Sequence, residues 1–259
     1  MVGPARRNPL KERLAGGGGI SIAMLTMASP AAAQVWARSG IDCLILDMEH
    51  GPIGIESVQA MVAATAGTPA TPIVRVPWNV PWLVKPVLDT GAMGICFPMI
   101  ADADDAAAAV RSVRYPPAGE RGWGPFYAHL RWGEPMARYV DTASDELLTM
   151  LLIERPEAIR NLEQIVRVPG IDMLVIAPFD LAVTMGHGAN REHPEVLAAI
   201  RAAEETILAS GVPLCGAAFT PAAANQLLER GYRGVFLGFD WLIMQRAAAG
   251  LLEGVKLAR

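Results

Sequence analysis

Lysine is nearly missing from this chain: among 259 residues only Lys11, Lys85 and Lys256 carry a side-chain amine. Lys11 lies in the N-terminal lead, Lys85 in a helix-like W-L-V-K-P-V-L segment and Lys256 in the tail, so none ends a strand-like run. Covalent imine catalysis needs an inward-facing, desolvated lysine, and this inventory argues against it. Histidine is also scarce, with four residues and no H-x-H or H-E-x-x-H spacing, which speaks against a zinc site. No P-loop and no G-x-G-x-x-G follows a strand-like run, so nucleotide chemistry has no cradle. The net charge is −4 with no basic block, which excludes nucleic acid and anionic membrane as partners. Cys43, Cys96 and Cys215 are odd in number, far apart and set in apolar runs. That pattern points to buried free thiols in a reducing compartment, the cytoplasm, rather than to a disulfide framework.

Long apolar runs are lacking as well. The uncharged stretch from Ala15 to Ala37 is preceded by Arg6, Arg7, Lys11 and Arg13, and its A-A-A-Q resembles a signal-peptidase site. Gly16 to Gly19, Ser21, Thr26, Ser29 and Pro30 interrupt it, leaving an apolar core of only about nine residues, short for a spanning or secretory segment. The segment is expected to be kept.

What is abundant is apolar, small and regularly spaced. Apolar residues make up 52% against 6% aromatic, with 25 glycines and long alanine runs, the balance of buried parallel strands wrapped in alanine-rich helices. Eight short runs stop at Gly, Pro or a charged residue: 20–25, 42–47, 72–76, 94–99, 148–154, 173–178, 212–218 and 234–239. Helical patterns separate them, several opening at a cap-like Ser, Thr or Asp and closing at Gly. Eight strand–helix repeats in about 250 residues predict an α/β fold, a (β/α)₈ TIM barrel, as one domain over 1–259. Removing everything up to A-A-A-Q would delete the first strand. The one long irregular insert, about 114–138, is placed between strands four and five and is expected over the C-terminal mouth as a lid or subunit contact.

In such barrels, polar groups at the C-terminal strand ends face the pocket. Asp47, Glu49 and His50 follow strand two, Arg75 lies near the end of strand three, Glu154 closes strand five and Asp180 lies just beyond strand six. Glu154 and Asp180 are acceptor-only groups from adjacent strands, suited to a hard divalent cation, Mg²⁺ or Mn²⁺. The alternative is an ordinary ion pair of either acid with one of the nineteen arginines. Asp47 three residues before His50 could orient the imidazole as a general acid or base. Arg75 offers two directed donors to a carboxylate or a developing enolate oxygen. Such a site suits enolate chemistry on a 2-oxo acid. The glycines of L-C-G-A-A-F-T-P and L-G-F-D lie where barrels of this kind bind phosphate, but nothing basic reinforces them.

At these residues the chain resembles the HpcH/HpaI aldolase family of metal-dependent class II pyruvate aldolases. The likeness runs through N-P-L-K-E-R-L, L-D-M-E-H-G-P, V-R-V-P-W, V-L-D-T-G-A-M-G-I, R-Y-P-P-A-G-E-R-G, I-E-R-P-E-A-I-R-N-L and A-P-F-D-L-A, covering nearly the whole chain. The resemblance implies a pyruvate-type TIM barrel that reversibly cleaves a 4-hydroxy-2-oxo acid into pyruvate and an aldehyde. It implies Glu154 and Asp180 as ligands of a divalent metal (Mg²⁺, Mn²⁺ or Co²⁺), Asp47 and His50 as an acid–base dyad, and Arg75 holding the pyruvyl unit. It also implies Asp89 reaching a site across a subunit interface, and a homo-oligomer, a hexamer or trimer of dimers with exchanged C-terminal helices. Leu152, Ala177 and Pro178 fall where substrate is contacted, and two of them depart from the family pattern: Leu152-Ile153-Glu154 stands for Q-I-E, and Ala177-Pro178-Phe179-Asp180 for G-P-x-D. Oxaloacetate decarboxylation through the same enolate, or a catalytically silent keto-acid-binding barrel, remain open alternatives.

Overall fold

The computed structural model describes residues 6–255; Lys256 lies outside them. All eight expected strands form: β1 Ile20–Leu25, β2 Cys43–Asp47, β3 Thr71–Arg75, β4 Gly94–Phe97, β5 Leu148–Ile153, β6 Met173–Ile176, β7 Leu214–Ala217 and β8 Gly234–Phe239. They pair in parallel in sequence order, and β8 returns to β1 to close the barrel. Helices alternate with the strands, so the architecture is a (β/α)₈ barrel. The stretch before A-A-A-Q supplies β1, which pairs with both β2 and β8.

Strand alternation sorts the side chains into two cores. Ile20, Ile22, Met24, Cys43, Ile45, Ile73, Cys96, Leu148, Met150, Leu152, Met173 and Cys215 fill the interior, while Ala23, Leu25, Leu44, Leu46, Val74, Ile95, Leu151 and Leu174 face the helices. Each fully buried aliphatic side chain contributes about 1.5–3 kcal/mol. The period of two also aims the polar strand ends: Asp47 follows Cys43 and Ile45, Arg75 follows Ile73, and Glu154 follows Leu148, Met150 and Leu152. Asp47 and Arg75 are register partners. All three cysteines are buried and free, and burial pushes the Cys215 thiol up to about 12. At the opposite end the helix Pro9–Ala15 starts at Asn8, whose amide bonds the carbonyls of Met93 and Glu146, and it inserts Leu10 into the interior cluster.

The insert at 114–138 does not cover the mouth. A helix Ala103–Val113 already follows β4 and returns the chain to the N-terminal side, and the insert continues from there into the helix Met136–Glu146 that leads to β5. There the side chain of Arg121, fully buried, donates to Asp89 at 2.7 Å and Tyr139 at 3.1 Å and lies over the Tyr115 ring. Trp132 Nε1 donates to the Gly91 carbonyl at 3.2 Å and Arg131 to the Thr65 hydroxyl at 2.6 Å, both at helix ends on that side. The expectation of a lid over the mouth failed because an insert that follows the helix after β4, rather than β4 itself, starts from the N-terminal side. No helix of the described residues is long and apolar enough to cross a membrane.

Candidate active site

A cavity of about 650 Å³ opens at the C-terminal mouth, and Asp47, His50, Arg75, Leu152, Ala177, Pro178 and Asp180 all line it. Asp47 and Arg75 form its most ordered pair. Arg75 Nε and Nη2 donate to the two Asp47 oxygens at 2.8 and 2.7 Å, with the Asp47 residue fully buried and Arg75 7% exposed. Asp47 Oδ1 also accepts the backbone N–H groups of Glu49 at 3.0 Å and His50 at 3.4 Å. Its carboxylate is therefore taken up by Arg75 and the main chain. The expected side-chain contact to the imidazole is not made: His50 Nε2 stands 3.8 Å from Glu49 Oε1, and its side chain is 65% exposed. Asp47 acts on His50 by shaping its backbone. The loop can fold so tightly because residue 51 is glycine; a Cβ there would meet the carbonyl oxygens of Asp47 at 2.5 Å and Thr26 at 2.9 Å.

Glu49 closes the third side of the guanidinium. Its Oε2 lies 3.0 Å from Arg75 Nη1 but lacks hydrogen-bond alignment, so a buried carboxylate oxygen is left without a donor. Burial pushes the Glu49 carboxyl up to about 7; Arg75 opposes this, and the charges of Asp47 and Asp180 add to it. Glu154 is 3% exposed and also rises to about 7, from burial first, with Asp180 and Glu49 adding and the Met99 N–H and Arg75 opposing. Glu49, Glu154 and Asp180 thus crowd one another at the rim. Acceptor-only oxygens with too few donors are the environment a hard divalent cation neutralises, so Glu154 and Asp180, with Glu49 beside them, are the residues that could hold one.

The structure adds partners that sequence reasoning did not name. Met99 adopts φ 60, the left-handed region that costs a non-glycine residue about 1–3 kcal/mol, and from there its N–H reaches Glu154 Oε1 at 2.6 Å. The Thr184 hydroxyl lies within hydrogen-bonding distance of the main-chain carbonyls of Glu154 (2.8 Å) and Asp180 (2.9 Å), tying the two segments together. Asp180 sits in the first turn of the helix Pro178–Thr184, which Pro178 opens at a position needing no N–H donor. Asp240, at the end of β8, was legible by the strand-end rule but was passed over for the neighbouring glycine. Asp89 is not at the mouth; it ends the helix Pro81–Asp89 on the far side and pairs with Arg121. The L-C-G-A-A-F-T-P and L-G-F-D segments bring Phe219 and Phe239 to the cavity beside Phe236, an apolar wall with no cation for phosphate. A separate group, His187, His193 and Glu195, lies outside the cavity and clasps the start of the helix Pro194–Ser210, the two rings stacked at 3.6 Å.

The chain is similar to known proteins over most of its length. The sequence profile described as HpcH/HpaI aldolase/citrate lyase matches residues 21–247. The chain is 39% identical over 228 residues to 4-hydroxy-2-oxo-heptane-1,7-dioate aldolase of Klebsiella pneumoniae, covering 88% of this chain and 86% of that one. The Escherichia coli protein of the same name is also 39% identical, with 88% and 87% covered. Among solved structures, an HpcH/HpaI aldolase/citrate lyase family protein of Burkholderia cenocepacia superposes with a TM-score of 0.88 at 34% identity, covering 95% of this chain and 98% of that one. An HpcH/HpaI aldolase of Desulfitobacterium hafniense gives 0.88 at 26% identity, covering 96% and 97%.

Proposed function

The chain belongs to the HpcH/HpaI aldolase/citrate lyase family, a class II pyruvate aldolase lyase by that membership, and from this premise we propose that its mouth cleaves a 4-hydroxy-2-oxo acid reversibly into pyruvate and an aldehyde. The family is metal-dependent, and the observation that carries the reading is the gathering of Glu49, Glu154 and Asp180 at one rim, where burial raises Glu49 and Glu154 to about 7 and a buried oxygen of Glu49 meets no hydrogen-bond donor. Glu154 and Asp180 would hold Mg²⁺, Mn²⁺ or Co²⁺. When bound, such an ion supplies Lewis-acid stabilisation of negative charge on a 2-oxo acid's oxygens.

The remaining work falls to the chain's own side chains. Arg75 is fixed by Asp47 and Glu49 through Nε, Nη2 and Nη1, and a guanidinium carries five N–H groups, so donors remain to face the pyruvyl oxygens. Held rigid and mostly buried, it stabilises charge developing on the enolate oxygen at little reorganisation cost. His50 is the imidazole that lines the cavity, open to it, and it moves the proton between the 4-hydroxyl of the cleaved acid or C3 of pyruvate and solvent. Leu152 lines the cavity in place of a polar side chain, keeping that wall dry, and Ala177 and Pro178 shape the rim by the 2-oxo acid.

The protein acts as a cytoplasmic homo-oligomer in this reading, a hexamer or trimer of dimers. Its support is the last helix, Asp240–Leu252, which buries only Asp240 and leaves Met244, Leu251 and Leu252 more than half exposed. Asp89, remote from the mouth of its own barrel, would serve a neighbour's site. The test of the function is pyruvate release from a 4-hydroxy-2-oxo acid, followed through a coupled dehydrogenase. Release should stop on chelation and return with Mn²⁺; undiminished release after thorough chelation would overturn the reading.

A further inference from the structure

The mouth has two unlike halves. Asp47, Arg75 and Asp180, with Glu49 and Glu154 packed behind them, come from the β2, β3, β5 and β6 ends, whereas β7, β8 and β1 contribute Phe219, Phe236, Phe239, Trp241, Met24 and Met27. The four rings run in one chain along the wall. Phe219 and Phe236 meet edge to face at 6.2 Å, Phe236 and Phe239 at 5.1 Å, and Phe239 and Trp241 lie tilted at 6.3 Å. This arc is held in place by Asp240, only 1% exposed. Its carboxylate accepts from Thr26 N and Oγ1 at 3.1 and 2.9 Å, from Met27 N at 3.0 Å and from Trp241 N at 2.8 Å, so one buried acid fixes both ends of the apolar wall.

Asp240 is buried behind the wall, and no charged side chain among this half's described residues lines the cavity. Among the described residues lining the cavity the only basic side chains are Arg75 and His50, both on the acidic half, and Arg75 is engaged by Asp47 and Glu49. The substrate that gives the relatives their name, 4-hydroxy-2-oxo-heptane-1,7-dioate, yields on cleavage between C3 and C4 an aldehyde ending in a second carboxylate. Such a carboxylate placed against the aromatic arc would be desolvated with no cation of this chain to pair it.

We propose that the β7–β8–β1 arc is the aldehyde subsite and that it takes an aldehyde with an apolar, ring-bearing tail rather than a carboxylate-ended one. The inference rests on the aldolase reading and specifies its second substrate. In the addition direction C3 of pyruvate gives up a proton, the electron pair left on C3 forms the bond to the aldehyde carbon, and the aldehyde oxygen takes up a proton to become the 4-hydroxyl. The reaction is redox-neutral and needs no further reactant. The ring tail packs edge to face on Phe219, Phe236 and Trp241, the arrangement that aromatic quadrupoles favour.

The test compares benzaldehyde with succinic semialdehyde as acceptors for pyruvate in the Mn²⁺-loaded protein, with deuterium uptake at pyruvate C3 measured separately without aldehyde. The expected result is a kcat/KM for benzaldehyde at least about tenfold higher, the range by which apolar pockets discriminate. Trp241→Ala and Phe219→Ala should each lower that value about tenfold while leaving C3 exchange unchanged. Normal exchange with equal or better use of succinic semialdehyde, or with both variants indifferent toward benzaldehyde, would overturn the acceptor assignment and leave the aldolase standing. No exchange in the parent protein would overturn the aldolase reading and this inference with it.

Discussion

Replacing Glu154 by glutamine separates two effects that a ligand and a structural acid would show differently. Glutamine keeps the volume and an oxygen for the Met99 N–H, now 2.6 Å from Oε1, and removes only the charge. In the metal-free protein that charge is unfavourable, because burial together with Asp180 and Glu49 lifts the Glu154 carboxyl from 4.5 to about 7. Between those values the folded chain holds a proton that the unfolded chain has released, so stability falls as pH rises and the full penalty is felt above 7. Taken at face value the penalty is about 3 kcal/mol, and relaxation of the site leaves roughly 1–2 kcal/mol to be recovered by the variant. At about 2–4 °C per kcal/mol for a chain of this size, Glu154→Gln should raise Tm by roughly 2–8 °C at pH 8 in chelator and by almost nothing at pH 4.5. The same substitution should weaken Mn²⁺ binding by more than about 100-fold, since even indirect supports of a metal site are worth about 10–100-fold. Differential scanning fluorimetry at the two pH values and calorimetric Mn²⁺ titration read both. A Tm that falls equally at both pH values, with Mn²⁺ affinity intact, would refute the argument, for Glu154 would then be a structural acid.

Three other perturbations have definite outcomes. Asp47→Ala strands the Arg75 guanidinium inside the barrel end and should cost about 3–5 kcal/mol in urea unfolding; a loss below about 1 kcal/mol would mean that the pair is not the anchor described. His50→Ala should lower aldol cleavage by about 10²–10⁴-fold while leaving Mn²⁺ affinity and Tm unchanged, because its side chain is mostly exposed and makes no structural hydrogen bond. Met244→Glu with Leu251→Glu, both on the exposed face of the last helix, should shift the molecular mass in light scattering toward the monomer; an unchanged mass would place the association elsewhere.

The barrel was legible because eight apolar runs, each ended by a breaker or a charge, carry both the strand period and the helix spacing. The rim was legible for a related reason. Asp47, Arg75 and Glu154 extend the interior-facing alternation of apolar strands by one step, so their direction follows from parity alone. What parity cannot reveal is pairing across strands. The sequence spacing of Asp47 and His50 suggested a dyad, but Arg75 lies opposite Asp47 in register and takes its carboxylate. Met99 and Thr184 act through a backbone N–H and a short hydroxyl contact that no residue type announces. The start of the insert at 114–138, just after the helix ending at Val113, was legible; its side of the barrel was misplaced, because a chain that has passed through the helix after β4 has already returned to the N-terminal side.

The central claim is that this mouth makes the enolate of a 2-oxo acid with a divalent ion held by Glu154 and Asp180. Deuterium incorporation at C3 of pyruvate in heavy water, without any aldehyde, measures that step alone. The account predicts incorporation with Mn²⁺ present, none after chelation, and none in Glu154→Ala or Asp180→Ala at any Mn²⁺ concentration that leaves the fold intact. Incorporation that survives chelation, or that proceeds at the parent rate in both variants, would contradict it.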